Sequence, residues 1–259
     1  MSSVLISQVG TLDLLDLRMI TRYYGDDSLP YPFALTQGSR FRTQDEASKY
    51  ASTVVDRFFH GDLNNFMESV VAYDSADVRV ECHVQYIPDD TPCVRLIAYR
   101  AGQLGFFAAQ RPDEDLVDIY TLSPYDLSTA ICDDLSLCQP GQHPKILIPE
   151  FLPQGRAEFD NGDLVVRSRR NSTEVMVPAS RVTAYATVQS HWRPTRKWGP
   201  DSGKTAIVWV RVLDDGDYMY VPDHSHARPM TKAALCQQID QLIANDIAIL
   251  REIRCDYGA

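Results

Sequence analysis

The chain has 259 residues, 44% hydrophobic and 23% charged, with a formal net charge of −10. That length gives one large domain or two small ones and a core that needs no staples. The acidic balance excludes nucleic acid as an expected partner, because backbone phosphates require a basic face, and it repels anionic membrane surfaces.

The first residues, Met1-Ser2-Ser3-Val4-Leu5-Ile6, carry no basic n-region or long apolar h-region, so no signal peptide is read. No uncharged apolar run approaches the ~18 residues of a membrane span, and the expected location is the cytoplasm. Six cysteines, at 82, 93, 132, 138, 236 and 255, show no C-x-x-C or zinc spacing and are expected as reduced thiols. Cys82 and Cys93 lie either side of a turn and are candidates to face each other.

Thr11 to Tyr24 reads as a helix stopped by Gly25, Pro30 and Pro32. Thr43 and Glu46 form a capping box. The helix it opens carries Ala47, Tyr50, Ala51, Val54, Val55 and Phe58 on one face. A short helix follows through Phe66, Met67, Val70 and Val71. The period then changes to two. Val78, Val80, Cys82, Val84 and Tyr86 alternate with Arg79, Glu81, His83 and Gln85, a strand with one buried and one wet face. Ile87 to Pro92 is its turn. Strands at 93–101, 104–110 and 116–121 complete an antiparallel meander. Ser123-Pro124 offers an N-cap and N1 proline for a helix through Leu127, Ala130, Ile131 and Leu135. A strand at 145–149 follows.

In the second half, Asp160-Asn161-Gly162-Asp163 is a turn, and 164–168 and 173–177 have the pattern of pairing strands. Val182 to Trp192 is β-branched and aromatic. A hairpin runs Ile207–Leu213, Asp214–Asp217, Tyr218–Val221. Thr231 caps a final helix with Leu235, Ile239, Leu242, Ile243, Ile249 and Ile253 along one side. Strands in runs make the chain α+β with an antiparallel sheet. The halves share a coarse order of strands then helix.

The reactive-looking clusters read as structure. Gly199-Pro200-Asp201-Ser202-Gly203-Lys204-Thr205 suggests a phosphate loop, but it is one residue short and leads into a strand, whereas a phosphate loop opens a helix. His224 and His226, at i and i+2 in a loop, have no metal-ligand spacing. The acidic pairs 26–27, 89–90, 133–134 and 214–215 read as surface acids, three of them in turns. No G-x-S-x-G elbow occurs. No catalytic residue, cofactor or metal is therefore expected. The stretch His191-Trp192-Arg193-Pro194-Thr195-Arg196-Lys197-Trp198 is basic and aromatic in an acidic chain, the chemistry of interface anchors.

Three segments carry a family resemblance. Residues 94–138 hold a strand ending Arg100-Ala101-Gly102, then Phe106-Phe107-Ala108-Ala109-Gln110-Arg111, an acidic loop, a short strand and a helix. Leu29-Pro30-Tyr31-Pro32-Phe33 follows the first helix. Val208-Trp209-Val210-Arg211-Val212-Leu213-Asp214-Asp215-Gly216-Asp217-Tyr218 forms the hairpin. Together they resemble the EspG family of actinobacterial type VII secretion, over about three quarters of the chain. Two departures stand out: Asp217 replaces the family's usual Arg, and residues 150–180 read as hairpins where a family helix is expected.

The resemblance implies a single domain over residues 1–259 with pseudo-halves 1–149 and 150–259. The implied fold is a central antiparallel sheet flanked by two helical groups, the halves related by a quasi-two-fold. It implies a cytoplasmic, non-catalytic chaperone that binds the apolar helical tip of the PPE protein in a PE–PPE heterodimer. That partner would be kept soluble until secretion, and weak self-association of the free protein is left open. Exposure and chemistry, rather than any family motif, select the contacts: His83, Gln85, Ile87, Pro88, Asp89 and Asp90, with Trp192 and Arg193 as a second patch. The alternatives are a small-molecule or nucleotide hydrolase using 199–205 or the His224–His226 loop, and an interaction module for another partner class.

Overall fold

The computed structural model describes residues 7–87, 90–151, 174–192 and 199–257. Among these residues eleven strands form one sheet. They are β1 (Ser7–Asp13), β2 (Val78–Tyr86), β3 (Val94–Ala101), β4 (Leu104–Gln110), β5 (Leu116–Leu122), β6 (Lys145–Leu147), β7 (Glu174–Met176), β8 (Val182–His191), β9 (Ile207–Val212), β10 (Gly216–Tyr220) and β11 (Ala227–Pro229). Five α-helices accompany them: α1 (Leu14–Tyr23), α2 (Gln44–His60), α3 (Met67–Asp74), α4 (Leu127–Asp134) and α5 (Lys232–Tyr257). The fold is α+β, and the strand order is β1-β5-β4-β3-β2-β8-β9-β10-β11-β6-β7.

That order repeats. In the first half β1 leads through α1–α3 to the meander β2–β5, pairs back onto β5, and α4 follows. In the second half β6 pairs onto β11, the last strand of the meander β8–β11, and α5 follows. β2 and β8 join the halves antiparallel, with Cys82 opposite Val188 and His83 opposite Thr187. This is the quasi-two-fold, and by strand pairing β6 sits with the second half.

The period-two segments become strands because each face has something to pack against. Leu96, Ala98 and Phe107 join Val80, Cys82, Val188 and Trp209 under α4 and α5. The alternating Ile97, Tyr99, Phe106 and Ala108 pack under α1–α3 with Leu14, Ile20, Val54 and Phe58. On that same face of the second half, Ile146, Val208, Val210, Tyr218 and Tyr220 make a third cluster. Each fully buried aliphatic contributes about 1.5–3 kcal/mol, so the two sides of the sheet hold the helices independently.

Several expectations are corrected. Residues 11–13 are strand, not helix: Thr11 and Leu12 pair with Asp118 and Val117, and Asp13 caps α1 by accepting from Leu15 N–H at 2.8 Å. The Thr43–Glu46 box forms, with Glu46 N–H donating to Thr43 Oγ1 at 3.2 Å. The Glu46 carboxylate, however, accepts from the amide of Arg42 at 2.8 Å. Asp126, not Ser123, is the residue at the start of α4, while Ser123 Oγ accepts from Tyr125 N–H in the turn before it. Cys82 faces Leu96 rather than Cys93. The sheet is antiparallel except for β6 and β7, which are parallel. The turn at 160–163 and the strand at 164–168 lie outside the described residues.

Candidate partner-binding surface

The side chains of Arg79, Glu81, His83 and Gln85 run along the sheet face opposite α4 and α5, and the expectation that they form a wet face is corrected at its first two positions. Arg79 is 1% exposed. Its guanidinium closes the C-terminal end of α3, donating from Nε to Tyr73 O at 3.0 Å and from Nη2 to Asp74 O at 3.0 Å, above the Tyr73 ring. A cation at a helix C-terminus meets the carbonyls the helix leaves open. Glu81 is 2% exposed, with Oε2 3.3 Å from Nε2 of the equally buried His191. The alternation was readable in the sequence. Its cover was not: His191 is distant in the chain from Glu81, and although Tyr73 and Asp74 stand only six and five residues before Arg79, nothing in the sequence turns the end of α3 back over β2.

His83 is half-buried. The ring of Tyr31 meets it edge-on at 6.1 Å, and Thr187 faces His83 across the β2–β8 pair. Burial, and then the nearby Arg95 charge, push the imidazole pKa down to about 4. Tyr31 is placed there by the segment that links α1 to α2, and two side chains of the β4–β5 hairpin hold that segment. Gln110 brackets Ala34, accepting from its N–H at 3.1 Å and donating to its carbonyl at 2.9 Å. Asp115 accepts from Thr36 N–H at 2.6 Å and Thr36 Oγ1 at 2.8 Å.

Beyond His83 the row opens to solvent. Gln85 is exposed, and so is Asp90, held at φ 68° in the turn. Ile87 is 49% exposed, although its N–H is fixed to Thr183 O at 2.9 Å. Leu213 is also 49% exposed, with its N–H on Arg181 O at 2.9 Å and its carbonyl accepting from Arg181 Nη2 at 2.6 Å. Ile87 leaves β2 and Leu213 leaves β9, the two strands that flank β8. Their backbones lie two strand spacings apart, roughly 10 Å, and by strand alternation Ile87 continues the Gln85 row while Leu213 continues the Trp209–Arg211 row on the opposite face. Two aliphatic side chains thus stand in water on anchored backbone at the end of the sheet where the β2–β3, β4–β5 and β9–β10 turns lie. Leu213 escaped the sequence reading because it looks like the last core residue of its strand. Pro88 and Asp89 lie outside the described residues.

The second expected patch does not join the first. Trp192 follows β8 at the opposite end of the sheet and is half-buried with contacts of its own. From Thr183 to His191 the strand runs roughly 26 Å at ~3.3 Å per residue. Arg193 lies outside the described residues.

The other clusters resolve into local structure. The 199–205 loop leads into β9 and not into a helix. Lys204 Nζ is 2.7 Å from Asp246 Oδ1 on α5, and Gln189 holds the loop through Asp201 N–H at 2.8 Å and Asp201 O at 2.8 Å. His226 has both ring nitrogens engaged, with Ser225 Oγ at 2.9 Å and Arg228 Nε at 3.1 Å, while His224 leans on the Tyr220 ring. Asp215 is not a surface acid: it accepts from Gln142 N–H and the Tyr218 hydroxyl, each at 2.7 Å. Among the described residues no three His, Cys, Asp or Glu side chains form a metal-ligating group, and no helix is long and apolar enough to cross a membrane.

No family model and no curated protein matches the sequence. Among solved structures, the chain is similar to the type VII secretion system chaperone EspG5 of Mycobacterium tuberculosis, solved in complex with the PE25–PPE41 dimer. Identity is 13% and the TM-score 0.43, over 90% of this chain and 95% of that one.

Proposed function

We propose that this protein is a non-catalytic cytoplasmic chaperone of type VII secretion, a single domain of two halves that holds the apolar helical tip of a PPE protein from a PE–PPE pair. The observation that carries the reading is the pair Ile87 and Leu213, apolar and solvent-exposed on rigid strand ends either side of β8. Exposed aliphatics on fixed backbone lose little entropy on binding, and an apolar helix seats such anchors in its own grooves. Gln85, Asp90 and Arg181 around them supply a polar rim, which favours release. Pro88 and Asp89 complete the β2–β3 turn in this reading, His83 sets the turn's base through Tyr31, and Trp192 with Arg193 forms an outlying contact. The three segments that carry the family resemblance supply β3–β5 with α4, the cover over His83, and the β9–β10 hairpin, so they frame this end of the sheet.

Co-expression with PE–PPE pairs encoded beside type VII secretion genes, followed by size-exclusion chromatography, tests the proposal. A co-eluting complex with at least one pair is expected. Ile87→Asp and Leu213→Asp should each weaken it by roughly 30-fold or more, the scale of an interface hot spot, while leaving thermal unfolding unchanged. Absence of any complex across these pairs would overturn the reading.

A further inference from the structure

The core on the α4 and α5 side of the sheet holds Cys82 of β2, Cys132 of α4 and Cys236 of α5, all as free thiols. Cys82 and Cys132 are fully buried, and Cys236 is half-buried. The two helices run antiparallel. Asp133, near the end of α4, meets Lys232 at the start of α5, with Nζ to Oδ1 at 2.6 Å. One turn further along α5, the Cys236 thiol donates to the backbone carbonyl of Ser128, near the start of α4, at 3.6 Å. The sulfur touches backbone, so no side chain separates the helices at that point.

Helix geometry brings a second sulfur to the same place. A helical side chain leans toward the N-terminus of its helix and covers the turn before its own Cα. For Cys132 that turn begins at Ser128, whose carbonyl is the i−4 partner of the Cys132 amide. Cys236, on an antiparallel helix, leans the opposite way and so toward Cys132. The two thiols converge over the Ser128 carbonyl. Their electrostatics agree with this: burial first, and then the neighbouring Cys236 thiol, push the Cys132 pKa up, and burial raises that of Cys236.

We propose that Cys132 and Cys236 form a disulfide by exchange with a low-molecular-weight disulfide, a bridge that fastens the helix of the first half to the helix of the second. Cys236, the half-buried thiol, loses its proton to solvent and attacks one sulfur of the external disulfide. This forms a mixed disulfide and releases one thiolate, which takes the proton of Cys132. The Cys132 sulfur then attacks the Cys236 sulfur and expels the second thiolate, which takes up the proton that Cys236 lost. Two protein thiols are oxidised and one external disulfide is reduced to two thiols. Thiolate is scarce at buried sites, so exchange is slow near neutral pH and quickens as pH rises. The bridge closes residues 133–235 into a loop that contains β6 to β11, which restricts the unfolded chain. It does not depend on what the end of the sheet binds.

The test incubates the full native chain with oxidised glutathione, quenches with acid, blocks the remaining thiols after unfolding and maps the cysteine peptides by mass spectrometry without reduction. A cross-linked Cys132–Cys236 peptide is expected, formed about tenfold faster for each unit of pH between 7 and 8, with Cys82 recovered as a blocked free thiol. In Cys132→Ser the reaction should stop with glutathione on Cys236, an arrest that a purely structural cysteine does not produce. Bridging should raise Tm by roughly 5–15 °C. Cys236→Ser, a change at the half-buried position, should abolish both the bridge and the rise. Cys132 and Cys236 both still free once the exposed Cys138 and Cys255 carry glutathione would overturn the proposal. A Cys82–Cys132 bridge, or a bridged chain whose Tm does not rise, would do the same.

Discussion

Asp217 faces Arg211 directly across the β9–β10 hairpin, with the guanidinium Nε 2.8 Å from Oδ1 and Nη2 3.2 Å from Oδ2. The carboxylate is wholly buried and also accepts the amide of Cys138. Gly141 and Met230 donate their amides to the Asp217 carbonyl at 3.1 and 2.9 Å. One residue thus ties the hairpin to the connector between the halves and to the entry of α5. With the cation of Arg211 on the facing strand, position 217 requires an anion.

Asp217→Ala removes one partner of a buried pair and strands Arg211 and the Cys138 amide. The expected cost is about 3–5 kcal/mol, or at ~2–4 °C per kcal/mol a fall in Tm of roughly 6–20 °C. Asp217→Arg should be worse, because two guanidinium groups then face each other. Urea unfolding followed by circular dichroism measures both. A loss below about 1 kcal/mol for Asp217→Ala would show that the pair does not lock the halves.

His83 gives the fold an acid limb. Its folded pKa of about 4 lies below the value of the free side chain. Between these values the unfolded chain binds a proton that the folded chain excludes. His83 therefore leaves stability intact above pH ~6.5 and reduces it as pH falls toward 4. Allowing for partial exposure, the loss is about 1–3 kcal/mol. His83→Gln should remove that share, so the difference between variant and wild type grows from pH 7 to pH 4 and then levels. A constant difference across this range would count against the burial of the imidazole under Tyr31.

Much of this architecture was legible in the chain because the information is local. The β2–β5 meander, the β9–β10 hairpin, the Thr43 box and the Thr231 cap all rest on alternation or on side chains within four residues, and Ala234 N–H does find Thr231 Oγ1 at 3.1 Å. What was not legible depends on distant partners. T-L-D at 11–13 fits helix or strand until β5 supplies a ladder. Ala227–Pro229 is too short to signal a strand without β10 beside it. Glu81 looks solvated until His191, 110 positions later, arrives at 3.3 Å. At the candidate surface Ile87 was legible as a turn residue. Leu213 was not, since an apolar residue at a strand end is ordinary in sequence.

The cover over His83 depends on one buried amide. Gln110, 6% exposed, bonds Ala34 N–H, Ala34 O and Glu114 O. Gln110→Ala leaves these three groups without a partner, at a cost of about 2–4 kcal/mol. Two local effects should accompany the global one: faster hydrogen exchange at Ala34 and Thr36, and an upward move of the His83 pKa as Tyr31 loosens. An NMR titration in which His83 stays put in the variant would show that Tyr31 is held without Gln110.

Lys204 separates the structural reading of the 199–205 loop from the nucleotide one. Asp246 is 3% exposed, one of its oxygens lies 2.7 Å from Lys204 Nζ, and the other has no hydrogen-bond partner. Lys204→Ala therefore leaves a buried carboxylate unpaired, and about 2–4 kcal/mol of stability should go. The double change Lys204→Met with Asp246→Leu should recover most of it, because no buried charge remains. A phosphate-binding lysine behaves differently: ATP with magnesium would raise Tm in the wild type, and Lys204→Ala would abolish that rise. The geometry of a loop that enters a strand, with its lysine tied to α5, gives no rise in either protein. A rise of several degrees that disappears with Lys204→Ala would turn this loop into a ligand site and reopen the hydrolase alternative.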